Sequence, residues 1–250
     1  MAKYFFDKEN LSDNEIVIEG AIAHHLINVM RVKIGDIVCF CDGEETDYIT
    51  NLIEVYAKGK KITCVFVVTK VISCKTELKT KIRLFQGLPK GDKLELIVQK
   101  CVELGVFEII PVNTRRTQFL NKNFEKSLNR LQKISLSAAE QSNRGIVPKI
   151  HDLIKLSHGI KICENLSDET ILNFVAYEKE EIRTLKSIFL NSPTPKNINI
   201  WIGPEGGFDF SEINQLEKIN AIPITLGKRI LRTETAAIAL TAQLQCFLEN

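Results

Sequence analysis

Trp-Ile-Gly-Pro-Glu-Gly-Gly-Phe occupies residues 201–208, and Leu-Gly-Lys-Arg-Ile-Leu-Arg-Thr-Glu-Thr-Ala-Ala occupies residues 226–237. In both places a short apolar run, 198–202 or 222–226, ends at a glycine. Glycine adopts backbone angles that other residues avoid, and its lack of a Cβ lets a ligand approach the main chain. Ligand-binding residues are concentrated in loops that a rigid scaffold holds. Residues 203–208, the first glycine loop, and 226–232, the second glycine loop, therefore predict the floor of a ligand pocket.

The composition is that of a globular protein with nearly balanced charge. The 250 residues are 44% hydrophobic, and 33 lysines and arginines against 31 aspartates and glutamates give a net charge of +2. This balance does not by itself indicate a nucleic-acid-binding protein. The chain has no apolar run long enough to span a membrane, and its first residues lack the apolar core of a signal peptide. We expect a cytoplasmic protein with no membrane partner.

The seven cysteines do not indicate a metal site. Their number is odd, Cys39 and Cys41 are separated by one residue, and no histidine lies at zinc-ligand spacing. Reduced cysteine behaves as a small apolar residue. Free thiols in the core, and no bound metal, are therefore expected.

The hydrophobic pattern divides the chain near residue 73. Short runs over residues 1–73 predict a small β-barrel domain, with strands at 15–18, 36–41, 48–56 and 61–71 and a helix at 21–30. Longer units alternate over residues 74–250, with strands at 81–88, 106–112, 170–177, 197–202 and 222–226 and helices at 92–104, 123–142, 180–190, 211–219 and 233–248. This alternation predicts an α/β fold with a mainly parallel sheet and helices on both faces. Ligands bind such sheets at the carboxyl ends of strands, where both glycine loops fall.

A basic segment lies inside the second domain. Residues 113–149 contain eight basic and two acidic side chains. On the predicted helix, one side would be apolar and the opposite side basic, with Lys122, Lys126, Arg130 and Lys133 on the basic side. Arg115 and Arg116 directly follow a predicted strand. Two interpretations stay open: a solvated helix face, or a surface that contacts the phosphate backbone of a folded RNA.

Neither glycine loop matches a common nucleotide-binding motif. The first does not fit the dinucleotide pattern, and the second lacks the remaining residues of a P-loop. A purely structural type I turn followed by a capping pair, Asp209 and Glu212, also fits the first loop. Helix capping accounts for Thr233 and Glu234 in the second stretch. Glu205 and Arg232 are not explained in this way, so they are the candidates for chemistry.

The chain resembles the ribosomal RNA small subunit methyltransferase E family of the SPOUT superfamily. The resemblance rests on the motifs at 202–208 and 226–236, on Leu-Pro-Lys-Gly at 88–91 and on Ala-Glu-Gln-Ser-Asn-Arg at 139–144. Residues 25–43 also look like the N-terminal barrel of that family. Several ordered motifs over the whole length make the resemblance specific.

The resemblance implies a PUA-like RNA-binding barrel over 1–73 and a SPOUT domain with a trefoil knot over 74–250. It implies a homodimer that transfers a methyl group from S-adenosylmethionine to N3 of a uridine in 16S rRNA on the assembled 30S subunit. Arg232 would stabilise negative charge on the uracil, and Glu205 would orient the base or the cofactor. The implied cofactor-binding residues are Leu172, Ile202, Gly203, Pro204, Glu205, Gly206, Gly207, Leu226, Gly227, Ile230, Leu231, Arg232, Thr235 and Ala236. The implied RNA-binding residues are Arg31, Arg115, Arg116, Lys126, Arg130, Lys133 and Arg144.

Two alternatives remain open on the sequence. A related SPOUT enzyme that methylates another nucleotide would share the cofactor loops. An RNA-binding module without catalysis is the other, although the presence of Glu205, Arg232 and both loops disfavours it.

Overall fold

The computed structural model describes residues 3–59, 61–117, 124–166, 171–189 and 194–249. The chain forms two compact units. The first contains the chain up to Glu77 together with Ala139–Val147, and the second contains Leu78–Ala138 and the chain from Pro148 onward. The sequence predicted a single division at residue 73. The structure differs because a segment from the middle of the chain folds into the first unit.

The first unit is built on a six-stranded sheet. Its strands are β1 (Lys3–Phe5), β2 (Leu11–Ser12), β3 (Glu15–Glu19), β4 (Ile37–Cys41), β5 (Thr46–Lys58) and β6 (Lys61–Ser73). They are arranged in the order β1-β4-β5-β6-β3-β2, and all neighbours are antiparallel except β1 and β4. Helix α1 (Gly20–His24) continues into a π-helical turn, His25–Val29. The four strands and the helical segment expected here are present, whereas β1 and β2 were not predicted.

Aromatic rings fill the core of the first unit. Phe40 and Phe66 are fully buried and meet edge to face, with ring centroids 4.9 Å apart. Tyr4 and Phe6 pack against the same cluster. Edge-to-face contacts of this kind add to the stabilisation that burial gives. Strand β1 is therefore held by its pairing with β4 and by the burial of Tyr4.

Buried charges attach the segment Ala139–Val147 to the first unit. Lys3 Nζ lies 2.8 Å from Asp47 Oδ1 and donates to the carbonyl oxygens of Asn143 and Arg144 at 3.0 and 3.3 Å. The side chain of Arg144 is 3% exposed and forms an ion pair with Glu77. Glu77 also accepts a hydrogen bond from the backbone N–H of Gly145 at 2.7 Å. These contacts are the physical reason for the discontinuous division.

The second unit is a parallel sheet covered by helices. Its strands are β7 (Lys81–Gly87), β8 (Glu108–Asn113), β9 (Lys149–Ile150), β10 (Ile154–Lys155), β11 (Ile171–Ala176), β12 (Asn197–Ile202) and β13 (Ala221–Ile224). The order is β10-β8-β7-β12-β11-β13, with β9 paired to β8. The helices are α2 (Lys93–Glu103), α3 (Phe124–Gln141), α4 (Leu156–Asn165), α5 (Leu185–Phe189), α6 (Phe210–Glu217) and α7 (Thr233–Leu248). The expected α/β class with a parallel sheet is confirmed.

The central strand β12 is buried along all six residues. Burial on both faces is typical of parallel sheets, and in this strand it includes the side chains of Asn197 and Asn199. Trp201 on this strand stacks on Phe85, with ring centroids 4.0 Å apart. Gly159 in α4 allows this packing, because a Cβ there would lie 2.9 Å from Trp201 Cη2. Helix α4 was not predicted, nor were β9 and β10, and α5 is shorter than the expected 180–190 within the described residues.

A polar cluster lies where β7 and β8 begin. Glu108 accepts hydrogen bonds from Arg83 Nε at 2.6 Å and pairs with His151 Nε2 at 2.6 Å. Arg83 also donates to Asn197 Oδ1 at 2.8 Å. Burial favours the neutral carboxyl, but the bonds from His151 and Arg83 outweigh it, so the pKa of Glu108 is lowered.

The cysteines are free thiols. Six of the seven are buried and Cys246 is exposed, so the expected core position holds for all but one. None of the helices in the described parts of the chain combines the length and apolarity needed to cross a bilayer.

Candidate functional site

A cavity of about 450 Å³ opens where three neighbouring parallel strands end. These strands are β11, β12 and β13, which finish at Ala176, Ile202 and Ile224. The residues that follow each strand line the cavity, together with Lys93 at the start of α2. The volume is that of a typical small-molecule site. The expectation of a pocket built by the two glycine loops is met.

Close approaches at Gly203, and at Gly87 of β7, leave little space for a side chain around the first glycine loop. Gly207 has φ +66°, and its N–H donates to the carbonyl oxygen of Pro204 at 2.9 Å. A Cβ on Gly203 would lie 3.0 Å from the Gly207 main chain, and one on Gly87 would lie 2.6 Å from Pro204. Main-chain groups therefore form this wall of the cavity.

Arg116 and Asp209 brace the first glycine loop from outside. Arg116 Nη1 donates to the carbonyl oxygen of Gly206 at 2.8 Å, and its Nη2 lies 3.5 Å from Asp209 Oδ2. Asp209 and Glu212 form the expected capping box of α6. Hydrogen bonds from Ser211 and the charges of the two neighbouring arginines lower the pKa of Asp209. The loop and the helix that follows it are thus fixed together.

Glu205 is anchored to the start of α2. Its Oε1 accepts from Lys93 Nζ at 2.6 Å and from the backbone N–H of Lys90 at 3.1 Å. Burial raises the pKa of this carboxyl, but the bonds from Lys93 and Lys90 outweigh the effect and leave the pKa lowered. Glu205 is therefore a carboxylate with protein partners, and it is a weak proton acceptor.

The second glycine loop carries a different set of side chains into the cavity. Gly227 has φ +112°, a conformation that other residues rarely adopt. Leu226 and Leu231 are half-buried, while Ile230 is 88% exposed. The backbone N–H of Thr225 donates to the carbonyl oxygen of Arg183 at 2.8 Å and fixes the start of the loop.

Thr233 connects the two loops, which corrects its expected role as a helix cap. Arg232 is the N-cap residue of α7, and its side chain makes no capping hydrogen bond. The hydroxyl of Thr233 instead donates to the carbonyl oxygen of Gly203 at 2.6 Å and accepts from Gln86 Nε2 at 2.9 Å. Thr233 and Gln86 are both buried. This network joins α7 to the end of β12.

Most of the predicted cofactor-binding residues lie in the cavity wall. They are Ile202, Gly203, Pro204, Glu205, Gly206, Gly207, Leu226, Gly227, Ile230, Leu231, Arg232 and Ala236. Leu172 and Thr235 are not among the lining residues. Leu172 lies near the amino end of β11, where it is paired with Ile198, whereas the cavity is at the carboxyl end of that strand. Thr235 is exposed on α7.

Sequence reasoning missed the contribution of β11. Ala176, Tyr177 and Glu178 line the cavity from this strand. No motif marks them. The rule that ligands lie at the carboxyl ends of parallel strands would have identified them from the predicted end of the strand.

The structure separates the predicted RNA-binding residues into different environments. Arg31, Lys126 and Lys133 are exposed. Arg130 is exposed and pairs with Glu95 at 2.8 Å, and Arg115 is exposed near Asp209. Lys122 lies outside the described residues.

Arg144 was expected to contact RNA, and this prediction is wrong. Its side chain is buried and its guanidinium is paired with Glu77. A buried arginine of this kind cannot reach a phosphate without giving up its ion pair, and breaking such a pair is costly.

Comparison with known proteins agrees with this geometry. The family model of the RNA methyltransferase domain matches residues 76–245, and that of the RNA methyltransferase PUA domain matches residues 18–67. Ribosomal RNA small subunit methyltransferase E of Bacillus subtilis is 34% identical over 252 residues, covering 97% of this chain and 95% of its own. The protein of the same name from Mesomycoplasma hyopneumoniae is 33% identical over 242 residues, covering 96% and 97%. The crystal structure of a Neisseria gonorrhoeae protein of that name, bound to S-adenosyl methionine, matches with a TM-score of 0.82 at 29% identity, covering 98% of this chain and 97% of that one.

Proposed function

The chain belongs to the ribosomal RNA small subunit methyltransferase E family, and on that premise we propose that it methylates N3 of a uridine in 16S rRNA with S-adenosylmethionine as donor. The substrate in this proposal is the assembled 30S subunit, and the enzyme acts as a cytoplasmic homodimer. The observation that carries the proposal is the cavity formed by both glycine loops at the carboxyl ends of β11, β12 and β13.

The residues of the cavity fit S-adenosylmethionine. Gly203, Gly207 and Gly227 line the cavity, and because none has a side chain a ligand can approach the main chain closely. Ile202, Leu226 and Leu231 supply apolar surface for an adenine ring. We propose that these residues, with Ile230 and Ala236, hold the adenosine part of the cofactor.

When bound, S-adenosylmethionine supplies a methyl group that is already activated by a sulfonium. The protein must then position the uridine and manage the proton on its N3. Arg232 lines the cavity, is exposed, and forms no ion pair with the described residues. We assign to it the stabilisation of negative charge that develops on the uracil. A permanently charged guanidinium suits this role because its charge does not depend on pH.

Glu205 acts in this proposal by positioning. Its bonds to Lys93 and Lys90 hold the first glycine loop against the start of α2. A loop that is fixed before the ligand binds loses less conformational entropy on binding. Replacement of Glu205 should therefore weaken cofactor binding, whereas replacement of Arg232 should lower the rate of transfer.

RNA contacts are proposed for the exposed basic residues of each unit taken separately, without Arg144. Arg31 in the first unit, and Arg115, Lys126 and Lys133 in the second, are exposed. Arg115, Arg116 and Arg130 already have carboxylate partners, so they are secondary candidates. Contacts between basic side chains and phosphates make RNA binding depend on salt. Reversal of the charge at Lys126 and Lys133 should reduce that salt dependence.

The test is a methylation assay with purified 30S subunits and isotope-labelled S-adenosylmethionine, followed by mass spectrometry of the nucleosides. We expect 3-methyluridine from 30S subunits and less from protein-free 16S rRNA. The R232A variant serves as the control for catalysis. A different methylated nucleoside would support another SPOUT activity. Absence of transfer, with RNA binding retained, would support a binding module. Sedimentation of the protein alone tests the homodimer.

A further inference from the structure

Glu178 lies in the wall of the cavity and has no role in the function proposed above. It follows Tyr177 directly after β11, the strand between β12 and β13. It is exposed, and it forms no hydrogen bond or ion pair with the residues that the structure describes. A carboxylate that lines a ligand cavity without a protein partner is available to the ligand.

The first glycine loop packs closely against both oxygens of this carboxylate. A Cβ on Gly207 would lie 3.1 Å from Glu178 Oε1 and 3.2 Å from Oε2. Both oxygens therefore face the main chain of Gly207, and a side chain at that position would press against them. A carboxylate with two acceptor oxygens matches a ligand group that has two adjacent hydrogen-bond donors.

The other carboxylate of the cavity wall does not offer the same chemistry. Glu205 Oε1 is already bonded to Lys93 and Lys90. The remaining charged residues of the described wall are the basic residues Lys93, Lys228, Arg229 and Arg232. Glu178 is thus the one acceptor carboxylate in the described wall that keeps both oxygens for a ligand.

We propose that Glu178 accepts hydrogen bonds from the ribose hydroxyls of the nucleoside cofactor. This inference rests on the proposed function. The vicinal hydroxyls of a ribose are two adjacent donors, and hydrogen bonds to a carboxylate are stronger than those between neutral groups.

Two cationic groups of the same cofactor match Glu178 less well. Methyl transfer removes the positive charge of the sulfonium, so a carboxylate beside it would stabilise the starting state more than the transition state. The methionyl ammonium carries a charge of the same sign as the four basic side chains in the wall. The uncharged diol avoids both conflicts.

The test measures binding to the full chain by titration calorimetry. The ligands are S-adenosylhomocysteine, its 2′-deoxyribose and 3′-deoxyribose analogues, and S-adenosylmethionine. The proteins are the wild type, E178Q, and E181Q as a matched control, because Glu181 is exposed and lies outside the cavity wall. Thermal unfolding of each variant checks that it is folded.

We expect the wild type and E181Q to bind at least one deoxy analogue about 10- to 100-fold more weakly than S-adenosylhomocysteine, which corresponds to the loss of a hydrogen bond to a charged group. E178Q should bind S-adenosylhomocysteine more weakly and show a much smaller difference between the ligands. If E178Q and the wild type showed the same ratio of affinities between S-adenosylhomocysteine and its deoxyribose analogues, the inference would be overturned. A loss in E178Q confined to S-adenosylmethionine would overturn it in favour of a cationic contact. A wild type that binds none of the ligands would refute the proposed function itself.

Discussion

Replacement of Thr233 by valine should loosen the connection between the two glycine loops. Valine has nearly the shape of threonine but removes the hydroxyl that donates to Gly203 and accepts from Gln86. Each of these hydrogen bonds contributes about 0.5–1.5 kcal/mol net. Gln86 Nε2 retains its bond to the carbonyl oxygen of Gly87, so the amide is not left without a partner. We therefore expect T233V to lower the free energy of unfolding by about 1–3 kcal/mol.

The measurement is urea unfolding followed by the fluorescence of Trp201, the single tryptophan of the chain, which is buried in the second unit. T233S is the matched control, because it keeps the hydroxyl and loses one methyl group, worth about 0.8 kcal/mol. Calorimetry should also show weaker binding of S-adenosylhomocysteine to T233V than to T233S. If T233V proved at least as stable as T233S, the hydrogen-bond network would not be what joins the loops.

Three further predictions concern other parts of the molecule. The pKa of Glu108 is lowered, so the Glu108 carboxylate contributes fully to the free energy of unfolding above the ordinary pKa of a glutamate, and this contribution is lost as the pH falls through the lowered pKa. In E108Q the free energy of unfolding should therefore fall less steeply with decreasing pH in the acid range. R144A should cost about 3–5 kcal/mol, because Glu77 would be left buried without its partner, and calorimetry should show a smaller loss for E77A/R144A. G207A should bind S-adenosylhomocysteine at least about tenfold more weakly, whereas G59A, with the same sign of φ and no atom near its Cβ, should bind normally.

The backbone of the second unit could be predicted well where one strong local signal dominates. The strand 197–202 and the helix 233–248 have the bounds that their hydrophobic patterns predict. Helix α4 was missed because Gly159 disfavours a helix locally. The helix packs on Trp201 and Phe85, which are distant in sequence, and their rings occupy the space that a side chain at Gly159 would fill.

In the candidate site, too, local patterns predicted the backbone but not the contacts between residues distant in sequence. The glycines that open the cavity are visible in the sequence because each follows an apolar strand. Thr233 looked like a helix cap, since capping is a local pattern, but its partner Gly203 lies 30 residues away. Arg144 looked like an RNA contact because charge alone does not reveal a buried acidic partner. The partners of these side chains are distant in sequence, so they could not be predicted from local sequence patterns.

Helix α3 has a consequence for how the gene can be rearranged. Its residues up to Ala138 belong to the second unit, and those from Ala139 belong to the first. A single recombination point between residues 77 and 78 would therefore deprive the first unit of the segment that carries Arg144. Exchange of the whole first unit between homologous genes requires three crossovers, after residues 77, 138 and 147, and the second of them lies inside a helix. The two units are therefore expected to be inherited together.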